Sequence, residues 1–508
     1  MQPPISHLSF SSIRLHFIGW RAIFFVNRAS FKRLSIEGPL TVKERFILLG
    51  LLASHSSFFL LAILLTKDKM DFSKPMNIAI IGGSNTGLMH GIALKHLSTP
   101  HHIRIFERNA VDVRHDLAAG ITTHPEFEEF MKAHDRVDEP WSIHCPGAQF
   151  LDDKANVKRA IDRPLQMTSW SVIYHRLRRN FDGLKSEFCT GDVKGDEKQD
   201  GDDGKEGNTE FLTGANVISL EKVKDGVEVT YQNFKADNKE EKFVADMVIL
   251  ADGANSRLKT KYFPDVKREY AGYVAFRGTV LESEVSDETK KTFDPRLTYF
   301  SYKGGYILLY IIPGITGSLT PGSRRYNWVW YHPIPSDSPD FRKIMTDTTG
   351  TFHRTTLPAG LMCPDAWNTF NTLSQTVMNA PFAEIISKTH SPFITAINDS
   401  ALPHALIPGF DDRVLVTGEA LNLMRPHMAL STTQSATQAL LLEKVFKREL
   451  TLEQWEKKVL KWGKIGPYLG SLDCWASWWV SIDCSARWMN GVEKWKDYIP
   501  CVELVELS

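Results

Sequence analysis

Apolar residues first fall into a regular pattern at residue 76. The run Asn77 to Ile81 stops at Gly82-Gly83, a helical spacing of apolar positions continues to Leu97, and HHIRIFERN from His101 supplies a second apolar run. Read by period, this is strand, glycine turn, helix, strand: a complete βαβ unit. Further on, Ala215 to Tyr231 alternates apolar and polar residues around Asp225-Gly226, which predicts a hairpin. VADMVILADG, residues 244–253, reads as a buried strand ending on Asp252-Gly253. From Tyr270 to Tyr331 short apolar runs (YVAFRGTVL, YILLYIIPG, YNWVWYHPI) predict a mainly antiparallel sheet. The last strand, Arg413 to Thr417, leads through Gly418-Glu419 into a loop and a helix from about Thr432 to Lys447.

These elements predict an α/β protein: a Rossmann-like dinucleotide domain, a mainly antiparallel β-sheet substrate domain, and a C-terminal helical region. The expected boundaries are 76–266 for the first part of the Rossmann-like domain, 267–404 for the substrate domain, 405–450 for the last part of the Rossmann-like domain and 451–508 for the helical region. Residues 191–209, GDVKGDEKQDGDDGKEGNT, carry almost no apolar side chain and read as a solvated, disordered loop. Residues 1–75 form an N-terminal extension.

Composition narrows the function classes. A chain of 508 residues with 43% apolar content can bury large cores, so a small disulfide-stapled scaffold is excluded. Lys+Arg and Asp+Glu balance at 60 each and no basic run stands out, which argues against nucleic acid and leaves a small molecule as the natural partner. Six scattered cysteines without a C-x-x-C pair read as reduced thiols, with no zinc site and no other metal cluster. Residues 46–66, FILLGLLASHSSFFLLAILLT, contain no Asp, Glu, Lys or Arg and could span a bilayer as a single-pass anchor. The alternative is an unstructured leader, because His55 and its flanking serines dilute the centre and Met70 begins a segment sufficient for a soluble enzyme. Localisation is accordingly cytoplasmic, or membrane-anchored with a cytoplasmic catalytic domain. The Trp-rich tail from Trp475 reads as core or as a homodimer contact.

The chemistry sits at the turns. Gly82-Gly83-Ser84-Asn85-Thr86-Gly87 occupies a dinucleotide turn, with Gly82 for the bend, Gly87 for close helix packing, and Ser84 in place of the middle glycine. Backbone N–H groups at the helix start can receive a pyrophosphate, and Glu107 at the end of the second strand can accept the adenosine ribose hydroxyls. Arg108 beside it is a candidate for the adenine end. A second motif, ILADGANSRLK from Ile249, ends on Asp252. A third, VLVTGEALNLMRPHMALSTTQS from Val414, carries Gly418-Glu419 and Arg425-Pro426-His427.

With three motifs in this order, the chain resembles the single-component FAD-dependent aromatic hydroxylases of the para-hydroxybenzoate hydroxylase type. GGSNTGL, FERN, TSWSVIYHRL, YAGYVAFRG and RPH are most similar to their 2,6-dihydroxypyridine 3-monooxygenase branch and its fungal relatives. The resemblance implies FAD as cofactor and NAD(P)H with O2 as co-substrates. It further implies hydroxylation of an aromatic or electron-rich small molecule through a flavin C4a-hydroperoxide. It also implies that Asp252 serves the pyrophosphate region, that Glu419 stands where relatives carry Asp for the ribityl chain, and that Pro426 and His427 pass the flavin ring. The helix beyond them would direct its positive end at the N1/C2 edge. Gly120, in RHDLAAGI from Arg114, is implied as a backbone contact to the flavin, and Gln166 as a further contact where Ser169-Trp170 replace the usual Arg. His427 reads as a structural hydrogen-bonder. No catalytic base is nameable: Arg277, Tyr302, Tyr306, Tyr310, His332 and His353 read as packing or surface. The alternatives are a halogenase or oxidative decarboxylase on the same scaffold, without the halogenase Trp-x-Trp-x-Ile motif, and a non-catalytic FAD-binding protein.

Overall fold

Strands that are apolar at every position need cover on both faces, and this requirement orders the fold. In the computed structural model, which describes residues 15–17, 20–22, 70–111, 119–194 and 207–469, Met247–Leu250 and Val414–Val416 are such strands, as is Asn77–Ile81 after its exposed first residue. They lie in a five-stranded, wholly parallel sheet ordered Val414–Val416, Met247–Leu250, Asn77–Ile81, His102–Glu107, Thr209–Thr213. Parallel sheets of this kind survive only when layered between other elements. The helix Asn85–Lys95 covers one face and is buried along nearly its whole length, packed against the helices Trp170–Asp182 and Leu430–Phe446. A three-stranded antiparallel sheet, Ala215–Val223, Gly226–Asn233 and Lys239–Ala245, includes the expected hairpin.

The second sheet is larger and almost entirely antiparallel. Its core strands are Glu269–Leu281, Arg325–Pro333, Gly305–Ile312 and Leu297–Tyr302. Ile143–Leu151, Val157–Ser169 and Gly120–Thr123 continue it, joined through a parallel pairing of Leu297–Tyr302 with Ile143–Leu151. Residues 120–169 thus leave the parallel sheet for the large one, and the chain returns through the helix Trp170–Asp182. That helix is capped by the Ser169 hydroxyl, which accepts from the Val172 N–H, and closed by Gly183 at φ 76°.

Period two sorts the large sheet into two different faces. On Arg325–Pro333, Tyr326, Trp328 and Trp330 join a core with Phe276, Ile307, Leu309 and Phe370, roofed by the helices Pro364–Val377 and Ala380–Ser387. Both indole N–H groups find buried partners, Trp328 on Thr389 at 2.9 Å and Trp330 on the Tyr302 hydroxyl at 2.9 Å. The alternate residues, Val329 and Tyr331, with Tyr306, Leu308 and Tyr310 of the neighbouring strand, face the opposite way. That second face is rich in tyrosine, and it turns toward the dinucleotide motifs.

Two expected boundaries shift. The helix begins at Leu430, because Ala429 adopts a left-handed conformation at φ 53° and ends the preceding loop early. Thr209, placed in the solvated loop by composition, opens the edge strand of the parallel sheet, and residues 195–206 lie outside the described residues. The apolar segment 46–66, Arg114 and the Trp-rich tail also lie outside them. Among the described residues no helix is long and apolar enough to cross a membrane, no group of three metal-ligating side chains converges, and Cys145, Cys189 and Cys363 are free thiols.

Candidate active site

The first motif is built by close backbone approach. Gly82 sits at φ 106°, and a Cβ on Gly87 would stand 2.0 Å from the Gly82 carbonyl oxygen, so the strand end and the helix start touch with no room for a side chain. Ser84 takes the N-cap position in extended geometry, yet its hydroxyl makes no cap bond. The Asn85 Oδ1 is buried without a partner. Glu107 is buried at the end of its strand, where one oxygen accepts the Gly83 N–H at 3.0 Å and the other the Asn109 N–H at 2.7 Å. These bonds fix the carboxylate over the glycine turn. Arg108 is exposed beside it.

The other two motifs meet the first. Asp252 follows the strand Met247–Leu250, which is paired directly to Asn77–Ile81. Its Oδ1 is buried and unpartnered, and burial pushes its carboxyl up to about 6, against the Ser256 hydroxyl and the nearby Lys259 and Arg108 charges. Gly418, at φ 60°, leaves so little space that a Cβ would lie 2.5 Å from the Thr86 Oγ1. Thr86 also lies 2.8 Å from the Ser435 hydroxyl on the helix Leu430–Phe446. The Gly418 N–H donates to Gln438 at 2.6 Å, and Glu419 accepts from Ser431 at 2.8 Å. The extra methylene of Glu419 is therefore accommodated by a serine on the first turn of the following helix.

Beyond Glu419 opens a cavity of about 1100 Å³, lined by Gly120, Glu419, Pro426, His427 and the helix start Ala429 to Thr432 on one side. The other wall is the tyrosine face of the large sheet, with Tyr299, Tyr310, Tyr331, Asn327 and Arg277. The helix Leu430–Phe446 has no side-chain cap at its N-terminus, so its positive end faces the cavity. Gly120 donates its N–H to Asn327 at 3.1 Å, and a Cβ there would meet the Tyr310 hydroxyl at 2.6 Å.

His427 lines this cavity with both ring nitrogens engaged, one by the Tyr306 hydroxyl and one by the Tyr273 hydroxyl. Burial, with Arg425 and Arg277 nearby, pushes its pKa down to about 3. A neutral imidazole donates from one nitrogen and accepts at the other, so one tyrosine accepts while the other donates. Arg425, next along the loop, pairs with Asp399 at 2.7 Å. His427 therefore braces the loop, in keeping with a structural role.

Gln166 is not brought to the cavity. Leu165 faces it, so the neighbouring Gln166 points to the other side of the strand, accepting from Ser142 at 3.1 Å in a separate hollow with Glu128 and Trp141. Conversely, Arg277 and Tyr310, read from the sequence as packing, line the cavity, and the Arg277 Nε is buried without a hydrogen-bond partner. Asn327 and Tyr331, not among the sequence candidates, line it with them. The signal was present in YNWVWYHPI, where strict alternation separates the tryptophans from Asn327 and Tyr331. Tyr302, His332 and His353 stay outside: Tyr302 bonds Trp330 and His332, and His353 bonds Asp347 at 2.7 Å.

A family described as FAD binding domain-like matches residues 270–399. The 2,6-dihydroxypyridine 3-monooxygenase of Paenarthrobacter nicotinovorans is 24% identical over 392 residues, covering 76% of this chain and 87% of its own length. The chain is thus similar to FAD-dependent hydroxylases over most of its length. Its class is therefore that of the monooxygenases and its cofactor FAD. Among solved structures, this hydroxylase is similar to 2,6-dihydroxypyridine-3-hydroxylase from Arthrobacter nicotinovorans, with a TM-score of 0.61 at 22% identity over 78% of this chain and 90% of that one. It is also similar to Klebsiella pneumoniae HpxO complexed with FAD and uric acid, with a TM-score of 0.54 at 17% identity over 77% and 86%. At these identities the structural likenesses establish the fold. Its residues fit the cofactor on their own terms: two buried acceptors, on Asn85 and Asp252, lack partners beside a turn whose three glycines have no room for a Cβ.

Proposed function

We propose that the protein uses NAD(P)H and O2 to hydroxylate an electron-rich aromatic small molecule. One observation carries the reading: the three cofactor motifs meet one another, and the second and third, through Asn255 and Glu419, reach the wall of a cavity whose opposite wall is tyrosine-rich and polar. Gly82, Ser84, Asn85, Thr86, Gly87, Glu107 and Arg108 would hold the adenosine and pyrophosphate end of FAD, with Asp252 beside them. Gly418 and Glu419 would hold its middle, and Gly120, Pro426 and His427 its ring end. When bound, FAD supplies reduction by NAD(P)H and the transfer of one oxygen atom from O2 to substrate carbon.

The chain's own residues prepare the site. The uncapped start of the helix Leu430–Phe446 presents backbone N–H groups that stabilise negative charge at the cavity's cofactor end. Tyr299, Tyr310 and Tyr331 provide flat walls for an aromatic ring and displace water from it. Arg277 and Asn327 offer a charged donor and an amide for its hydroxyl or amino substituents. The substrate class suggested by the curated relative, a dihydroxylated nitrogen heterocycle, suits such a wall.

The test is NADPH consumption by FAD-loaded protein with a panel of phenols and hydroxypyridines, with mass spectrometry of the products. Faster consumption with one compound and a product heavier by one oxygen are expected. Purified protein that binds FAD but shows no stimulation by any electron-rich aromatic, or yields a halogenated or decarboxylated product, overturns the reading.

A further inference from the structure

The cavity carries more positive charge along its lining than an aromatic substrate calls for. Four arginines line it, Arg159, Arg163, Arg268 and Arg277, against two acids. Of the acids, Asp162 is held by Arg296 at 2.6 Å and Glu419 by the Ser431 hydroxyl at 2.8 Å. Arg159 and Arg163 belong to the exposed half of the strand Val157–Ser169, where period two puts Arg159, Ile161 and Arg163 on one face; all three line the cavity, as do Ala160 and Asp162 at its edge. A rise of about 3.3 Å per residue sets the two arginines roughly 13 Å apart along the strand, with an apolar residue between them. Arg163 also approaches the His124 ring at 3.4 Å, which steadies it there.

We propose that this Arg159–Ile161–Arg163 ladder is the docking site for the phosphates of the reduced nicotinamide dinucleotide, and that it selects the 2′-phosphorylated form, NADPH. The inference rests on the oxidoreductase reading above. The sequence holds one glycine-rich dinucleotide turn, and FAD takes it, so the reductant has to be received on a surface that adjoins the cavity. NADPH presents two separate anionic groups, a pyrophosphate and a 2′-phosphate, whereas NADH presents one. Two guanidinium groups at a distance match the former, and arginine binds phosphate oxygens through paired N–H donors. The excess positive charge also draws the anionic reductant to the cavity, which makes its arrival sensitive to salt.

The experiment uses full-length, FAD-loaded protein. Isothermal titration calorimetry measures NADP+ and NAD+ binding, and steady-state kinetics measure KM and kcat with NADPH, for Arg159→Ala, Arg163→Ala and Lys158→Ala. Lys158 lies on the alternate face of the same strand and controls for net charge. Loss of a charge-assisted phosphate contact is expected to weaken NADP+ binding about tenfold in each arginine variant and raise KM for NADPH in step, with kcat retained and Lys158→Ala indistinguishable from the parent. NADP+ binding unchanged in both arginine variants overturns the proposal. So does an unchanged KM for NADPH alongside a raised KM for the aromatic substrate, which would reassign the ladder to an anionic substituent of that substrate. Calorimetry reads docking without turnover: NADP+ binding as predicted in a protein that reduces no flavin supports the docking site and overturns the monooxygenase reading.

Discussion

The two ends of the proposed cofactor site are built by opposite means. At the proposed adenosine end the shape is set by backbone: Gly82 and Gly87 bring main chain against main chain, and Glu107 is pinned by the Gly83 and Asn109 N–H groups. At the ring end, side chains from distant segments do the work: Gly120 meets Asn327 and Tyr310, and His427 is braced by Tyr273 and Tyr306. The first end tolerates almost no change in shape, and the second can be re-cut for a new substrate without disturbing the first.

The sharpest break in the comparison is Gly87→Ala. A Cβ 2.0 Å from the Gly82 oxygen forces the strand and helix apart, which costs about 3 kcal/mol or more. The purified variant is expected to lose its flavin absorbance and to melt several degrees lower; retention of a full complement of FAD would refute the backbone account. Next is Glu107→Ala, which leaves the Gly83 and Asn109 N–H groups without their carboxylate at a cost of about 2 kcal/mol. FAD affinity should fall by at least an order of magnitude in a fluorescence titration, whereas Glu107→Gln retains part of it.

Asp252 sharpens the comparison through pH. Its folded carboxyl titrates near 6 rather than at its ordinary 3.8, so the acid form is favoured by burial. This contribution to stability is fully present below 3.8 and is lost as pH rises to about 6. Asp252→Asn should therefore match the parent near pH 4 and exceed it by roughly 1–3 kcal/mol above pH 6 in denaturant unfolding of the apoprotein. A difference independent of pH would show that the buried charge is not what strains this turn. The smallest expected effect is at the ring end: Tyr306→Phe leaves one His427 nitrogen unbraced, with about 1 kcal/mol lost in thermal unfolding and FAD content preserved. Loss of FAD from this variant would erase the distinction between the two ends.

Legibility followed the same division. The dinucleotide turn, Glu107, Asp252 and Gly418-Glu419 stand out because their neighbours in sequence are their neighbours in space, or because a strand end followed by glycine has few other uses. Gln166 was misplaced because a strand residue's side is decided by the pairing register, here Gln166 opposite Thr123 and His144, which the residue's own surroundings do not reveal. Arg277 and Tyr310 were passed over for the converse reason. Period two assigns each to one face of its strand, but whether that face meets a core or a cavity is decided by what packs opposite it.

The sequence by itself determined the βαβ unit, the parallel strands buried on both sides and the three turns that receive a dinucleotide, because each is a local consequence of period, glycine placement and capping. Only the tertiary structure decided that Thr86 packs on Gly418 and Ser435, that residues 120–169 join the large sheet, and that a tyrosine face closes the cavity opposite the cofactor motifs. Those contacts join residues more than a hundred positions apart. They are fixed by which apolar faces bury each other, a property of the assembled sheets that no single segment carries.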